Sequence, residues 1–168
     1  MTGFFRRHRA LVLSVLIAGL ALLIFVLVWF QPQKLVIESK VNEAAPTTGT
    51  STTTAPDADE PVQGSFTTLE HETKGRAVVI DTGEARVLRF EDFETSNGPD
   101  LVVYLSASHP KDFRDQSVAK DFVDLGQLKG NIGAQNYEIP PGTDLDRYSS
   151  VVIWCRRFNV SFGAAKLA

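Results

Sequence analysis

The strongest constraint on this chain is a run of apolar residues near its N-terminus, from Leu11 to Phe30. The run holds no charged residue and is about 20 residues long, which is the helix length needed to cross the hydrocarbon core of a bilayer. Arg6, Arg7 and Arg9 stand directly before it, and basic residues favour the cytoplasmic side of a membrane. We therefore predict one membrane crossing, with the N-terminus in the cytoplasm and everything after Phe30 outside.

A cleaved signal peptide is the alternative interpretation of this segment. Signal peptides have a shorter apolar region, about 7 to 15 residues, followed by small residues at the cleavage site. The stretch from Phe25 to Leu35 reads FVLVWFQPQKL and offers no small residue of that kind. A retained signal anchor is therefore favoured, and both interpretations export the rest of the chain.

The segment after the apolar run is predicted to be a flexible linker. Its central part, from Ala44 to Pro61, reads AAPTTGTSTTTAPDADEP and holds almost no large apolar side chain. Such a sequence buries too little surface to offset the entropy lost on ordering. We therefore divide the chain into a cytoplasmic basic N-terminus (1–10), a transmembrane signal anchor (11–30), a Thr/Pro-rich linker (31–62) and an exported domain (63–168).

The exported domain shows the periodicity of strands rather than that of helices. RAVVID before a Thr82-Gly83 turn and EARVLRF after it predict a hairpin. Residues 101–105 and 151–155 are apolar on both faces, which predicts central strands covered on both sides. The predicted fold class is all-β, an antiparallel β-sandwich of about eight strands with one polar helical excursion from His109 to Lys120. Weaker strand candidates, separated by turn-forming residues, lie at 65–70, 122–125, 137–139 and 158–162.

Composition excludes several kinds of site. The net charge is -3, and the exported domain has no lysine or arginine cluster, so nucleic-acid binding is excluded. Cys155 is the single cysteine, so no disulfide can form within the chain. As histidine or cysteine ligands the exported domain offers only His71, His109 and Cys155, without paired spacing such as CxxC or HxxxH. We therefore predict no metal site, and the residues leave any cofactor unknown.

Cys155 ends a fully apolar predicted strand and is followed by Arg156 and Arg157. Burial in apolar surroundings makes a thiol inert, whereas neighbouring arginines favour the thiolate that does redox chemistry or binds metal. These two effects oppose each other. The residues alone therefore leave open both a reactive thiol and a small buried core residue.

The sequence Asn97-Gly98-Pro99-Asp100 predicts a tight turn. Glycine frees the backbone, proline fixes one dihedral angle, and the Asn and Asp side chains can bond to nearby backbone groups. Asp100 also opens a predicted central strand. It is interpreted either as a cap of the turn or as a carboxylate held at the end of the sheet.

Several further motifs occur in order along the exported domain. They are GSF at 64–66 with His71 and Gly75, LRFEDF at 88–93, NGPDL at 97–101 with VYL at 103–105, LGQLKGN at 125–131, Gly133 with QNY at 135–137, IP at 139–140, and VVIWC at 151–155 with Phe158. In order and spacing they resemble the DM-thirteen family, also called the electron-transfer DM domain, over nearly all of residues 64–167.

This resemblance implies a β-sandwich related in style to DOMON domains and a role in extracytoplasmic electron transfer. It also implies a redox-active centre at Cys155, for which Trp154, Asp100 and Asn97 are candidate supporting residues. Multidomain relatives carry DOMON modules or membrane cytochromes, whereas this chain is expected to have only an anchor and a linker. Its electron partner is therefore expected to be another protein or a bound cofactor, because one cysteine forms at most a mixed disulfide, a sulfenic acid or a metal ligand.

Two functions remain as hypotheses. In the first, the chain is a membrane-anchored redox accessory protein, and its long tether lets Cys155 meet an extracytoplasmic redox protein near the membrane. In the alternative, it is a non-catalytic ligand-binding or protein-binding β-sandwich at the cell surface, and Cys155 fills the core. Neither hypothesis specifies an enzymatic reaction.

Overall fold

A computed structural model describes residues 2–30, 38–47, 61–108 and 120–168. Helix α1 runs over Thr2–Phe30, and its part Leu11–Trp29 is long and apolar enough to span a membrane. Every side chain from Leu11 to Trp29 is exposed, as expected of a helix that would face lipid. The chain forms two compact units, Met1–Ile37 and Glu38–Ala168. The membrane orientation of α1 stays a prediction.

The second unit is built from eight antiparallel strands. They lie side by side in the order β5-β4-β7-β8-β1-β2-β3-β6, and the two terminal strands, β5 and β6, contact each other, so that the sheet is nearly closed. The predicted all-β antiparallel fold class is thereby confirmed. The strands are β1 (Gln63–Thr68), β2 (Thr73–Asp81), β3 (Arg86–Thr95), β4 (Leu101–Ser106), β5 (Phe122–Gln127), β6 (Gln135–Ile139), β7 (Ser150–Cys155) and β8 (Val160–Lys166).

Strand β1 joins the two layers of the sandwich. Its first half, Gln63 to Ser65, pairs with β2, and its second half, Phe66 to Thr68, pairs with β8. One layer therefore contains β1, β2, β3 and β6, and the other contains β1, β8, β7, β4 and β5. The main apolar core lies between them and includes Phe66, Leu88, Phe90, Phe93, Val103, Leu105, Tyr137, Val151, Ile153 and Phe162.

Strands β4 and β7 are buried at every position, as predicted for central strands. Successive side chains on a strand point to opposite faces. One face of each strand contributes to the main core, and the other contributes to a second apolar cluster, here called the outer cluster. It consists of Val102, Tyr104, Val152, Trp154 and Ala164, with Leu69 and Phe122 packed against it.

The other sequence predictions of strands also have counterparts. β2 and β3 form the predicted hairpin around a turn in which the Thr82 hydroxyl donates to the carbonyl of Ala85. The candidate at 158–162 begins later, at Val160, because residues 156–159 form a turn. The helical excursion was predicted from His109 to Lys120. Of this range, residues 109–119 lie outside the described residues.

Part of the predicted linker packs on the β domain. Val41 and Glu43 donate backbone hydrogen bonds of 2.9 Å each to the carbonyls of Ile132 and Ala134. Residues 38–47 consequently belong to the unit Glu38–Ala168. The remainder of the predicted linker, at 31–37 and 48–60, is not covered by the described ranges.

Candidate functional site

Cys155 is the last residue of β7, and its side chain is 0% exposed. It pairs with Leu101 of β4 on one side and with Val160 of β8 on the other. Its thiol is free and faces the main core, which it shares with Ile153 and Phe162. The sulfur is therefore enclosed by apolar side chains, although the residue itself stands at the end of a strand.

A short turn directly after Cys155 covers this end of the sandwich. The N–H of Asn159 donates to the Cys155 carbonyl at 2.7 Å, and the N–H of Arg156 donates to the Asp100 carbonyl at 3.0 Å. Asn159 has φ 57°, a left-handed conformation that most residues avoid. Phe158 at the tip is 59% exposed. Only two residues, Arg156 and Arg157, thus separate the enclosed thiol from the exposed tip residue Phe158.

The arginine next to Cys155 is engaged on the opposite face of the sheet. The Nε of Arg156 donates to the Tyr104 hydroxyl at 3.1 Å, and its guanidinium forms an ion pair with Asp124. The bond to Tyr104 raises the pKa of Arg156. Since Tyr104 belongs to the outer cluster, this positive charge is directed away from the face on which the sulfur lies.

The predicted supporting residues are distributed over two places. Trp154 lies in the outer cluster and is 3% exposed, so its indole and the Cys155 sulfur occupy opposite faces of β7. Asn97 and Asp100 are half-buried in the connection from β3 to β4. Asp100 precedes Leu101, the partner of Cys155, so this connection lies at the same end of the sheet as the thiol.

His71 makes a contact that the sequence did not indicate. Its imidazole stacks on the ring of Phe162, with 3.8 Å between ring centroids. Phe162 belongs to the same core as Cys155, whereas His71 is only half-buried. The pair therefore joins the surface of the β1–β2 connection to the core that encloses the thiol. In the sequence, His71 stood out only as a candidate ligand and as part of the ordered motifs.

Ser161 brings a polar atom into the outer cluster. It pairs with Trp154 across β7 and β8, where the register between the two strands shifts. Its hydroxyl is buried and has no hydrogen-bond partner in the described part of the chain. In that same part, no group of three or more His, Cys, Asp or Glu side chains could hold a metal ion.

The comparison with protein families decides the assignment. The family described as "Electron transfer DM13" matches residues 65–167, which is the β domain from β1 to its last residues. The chain belongs to this family. The resemblance inferred from the ordered motifs is thereby confirmed, and with it an electron-transfer role at the level of the family. Comparison with curated proteins gave no match, and comparison with solved structures gave none either.

Proposed function

We propose that this electron-transfer DM13 chain is a membrane-anchored, extracytoplasmic redox accessory protein. The family match over the β domain carries this proposal. The apolar helix supports the anchor, and the arginines that precede it support a cytoplasmic N-terminus. The partner would be an extracytoplasmic redox protein.

Cys155 is the proposed redox group, and its enclosure determines how it would react. Proteins open locally at hairpin ends more easily than they unfold globally. Release of the turn at 156–159 would free the last pair of β7 and β8, Cys155 with Val160, and bring the sulfur to solvent. The thiolate could then attack a disulfide of the partner, forming a mixed disulfide while the second partner sulfur leaves as a thiolate.

A second function is favoured by one specific observation, the complete burial of the thiol among apolar residues. In this case the domain is a non-catalytic binding module, and Cys155 fills space in the core. The two functions differ in the event that exposes the sulfur. A redox thiol requires local opening, whereas a core thiol is exposed only by global unfolding.

Thiol labelling of the full chain in detergent micelles separates the two functions. If Cys155 is reached by local opening, labelling by an aromatic disulfide reagent should proceed at a rate that changes little at low urea, because local opening exposes little surface. Cys155→Ala provides the blank. Labelling that rises steeply with urea and follows global unfolding would instead identify a core cysteine and remove the redox assignment of Cys155.

A substitution in the turn makes this test more specific. Asn159→Ala places a residue that disfavours left-handed geometry at φ 57°; the cost of about 1 kcal/mol should speed labelling of Cys155 about five-fold. Asp92→Ala is the matched control, since Asp92 has φ 49° but lies in β3, away from this hairpin. Equal acceleration by both variants would show that the turn does not control access to the thiol.

A further inference from the structure

The β domain binds an extended segment of its own chain, residues 39–44, here called the clip segment. The segment runs beside residues 131–134, with Lys40 bridged to Ile132 in parallel orientation. Four backbone groups are satisfied along it, in the manner of a strand added to a sheet edge. The bonds are Ser39 N–H to Asn131 Oδ1 (2.6 Å), Val41 N–H to the Ile132 carbonyl (2.9 Å), Glu43 N–H to the Ala134 carbonyl (2.9 Å) and Ile132 N–H to the Ser39 carbonyl (3.3 Å).

Glu43 adds a charged contact to this backbone pairing. Its carboxylate accepts bonds from Lys129 Nζ at 2.8 Å and from the Asn136 N–H at 2.6 Å. Its carbonyl accepts a bond from the nearly buried Arg89 at 3.2 Å. The bond from Lys129 lowers the pKa of Glu43, so the carboxylate is charged in this position. The β domain thus binds the clip segment through the Glu43 side chain as well as through the backbone of the segment.

Glycines on the domain allow the clip segment to come this close. A Cβ atom at Gly133 would overlap the carbonyl oxygen of Val41, and one at Gly130 would crowd the carbonyl of Ser39. Gly133 also has φ 103°, which favours glycine. The surface is therefore shaped to accept a backbone, and the same surface supplies Lys129 and Asn136 to bind Glu43.

We infer that the clip segment shortens the tether between the anchor and the β domain, and so limits how far the domain can reach toward its partners. With the segment bound, the covalent chain from Phe30 to Ser39 spans at most about 30 Å. With the segment released, the chain from Phe30 to Gln63 could extend to about 110 Å. The inference rests on the anchoring part of the proposed function.

The clip segment changes the role of the Thr/Pro-rich stretch. When both Ala44 and Gln63 are held by the domain, residues 45–62 connect two points on the same domain, so their length adds nothing to its distance from the anchor. The predicted long tether would act only after the clip segment leaves its site. While the clip segment is bound, the shorter tether would raise the local concentration of a membrane-bound redox partner.

Hydrogen exchange on the full chain in lipid vesicles tests the bound state. The amides of Val41 and Glu43 should exchange at least about ten-fold more slowly than in an unstructured peptide. Gly133→Ala should abolish this protection because of the overlap with Val41. Gly126→Ala is the matched control, since Gly126 has the same φ of 103° with open space around it, and should keep the protection.

A milder pair of variants keeps the test decisive if Gly133→Ala unfolds the domain. Glu43→Gln should weaken the protection of both amides several-fold, because it removes the charged partner of Lys129. Glu38→Gln should leave it unchanged, since the ion pair that Glu38 forms with Lys40 at 3.7 Å is exposed to solvent. Unprotected amides in the wild type, or equal effects of both variants, would contradict the binding of the clip segment to the β domain.

Energy transfer to acceptor lipids tests the distance. The donor dye is attached to Glu84→Cys, an exposed turn position, in a Cys155→Ala background. Energy transfer should be stronger when Glu43 is present than in the same protein carrying Glu43→Gln. Equal transfer would overturn the limit on reach. Flotation with the vesicles reports the anchor separately, so a chain that fails to float refutes the anchoring, whereas a floating chain with unprotected amides refutes only the clip.

Discussion

Phe90→Ala is expected to lower the free energy of unfolding of the β domain by about 3–5 kcal/mol. Phe90 is 0% exposed and lies at the centre of an aromatic group in the main core. Its ring centroid lies 5.0 Å from that of Phe66, 4.9 Å from that of Phe93 and 5.2 Å from that of Tyr137. Truncation would remove all three ring contacts and leave a cavity. Urea unfolding of the full chain in mild detergent, followed by the fluorescence of buried Trp154, measures the loss.

Phe158→Ala is the matched control for this prediction. Phe158 is the same residue type, but it lies at the exposed tip of the β7–β8 hairpin. Its truncation should change the free energy of unfolding by less than about 0.5 kcal/mol. Equal losses for Phe90 and Phe158 would contradict the placement of the aromatic core between the two layers.

Gln135→Ala is expected to cost about 3 kcal/mol, because three buried partners would lose their hydrogen bonds. The side chain of Gln135 is 0% exposed. Its Nε2 donates to the Gly130 carbonyl at 2.9 Å, and its Oε1 accepts from the Gly130 N–H at 3.2 Å and from the Tyr137 hydroxyl at 2.6 Å. Burial also raises the pKa of Tyr137, so its hydroxyl stays a proton donor at neutral pH.

Gln127→Ala is the control, since Gln127 is an exposed residue at the end of β5 and should be replaceable at a cost below about 0.5 kcal/mol. The same urea titration measures both variants. Because Gln135 holds Gly130 beside the clip segment, Gln135→Ala should also reduce the protection of the Val41 and Glu43 amides. A stable Gln135→Ala variant with an unchanged clip would show that this buried amide does not organise the site.

The chemical character of Cys155 depends on details that local sequence does not contain. The run Trp154-Cys155-Arg156 placed an aromatic ring, a thiol and a positive charge next to each other in the chain. Strand geometry then separates them, because Cys155 faces the main core while Trp154 and Arg156 contact residues of the outer cluster. Side chains that are adjacent in the sequence of a strand point to opposite faces of the sheet.

The sequence by itself determined the apolar helix, the strands β2, β3, β4 and β7, and the family. Each of these is written in local periodicity or in ordered motifs, and the energy of burying an apolar run depends little on which partner covers it. The antiparallel sandwich followed from the number and spacing of the strands. The same local signals predicted a linker over residues 31–62. A short polar segment has the same composition whether it is free or bound to a domain, so these signals did not indicate the contact of residues 39–44 with the β domain.

Only the tertiary structure decided which groups meet. The enclosure of the Cys155 sulfur depends on two layers closing over it, and the contact of His71 with Phe162 joins residues far apart in the chain. Binding of residues 39–44 depends on a glycine-lined surface and on Lys129, about ninety positions further along. These contacts are long-range, so their free energy belongs to the folded arrangement and leaves no periodic trace in the sequence.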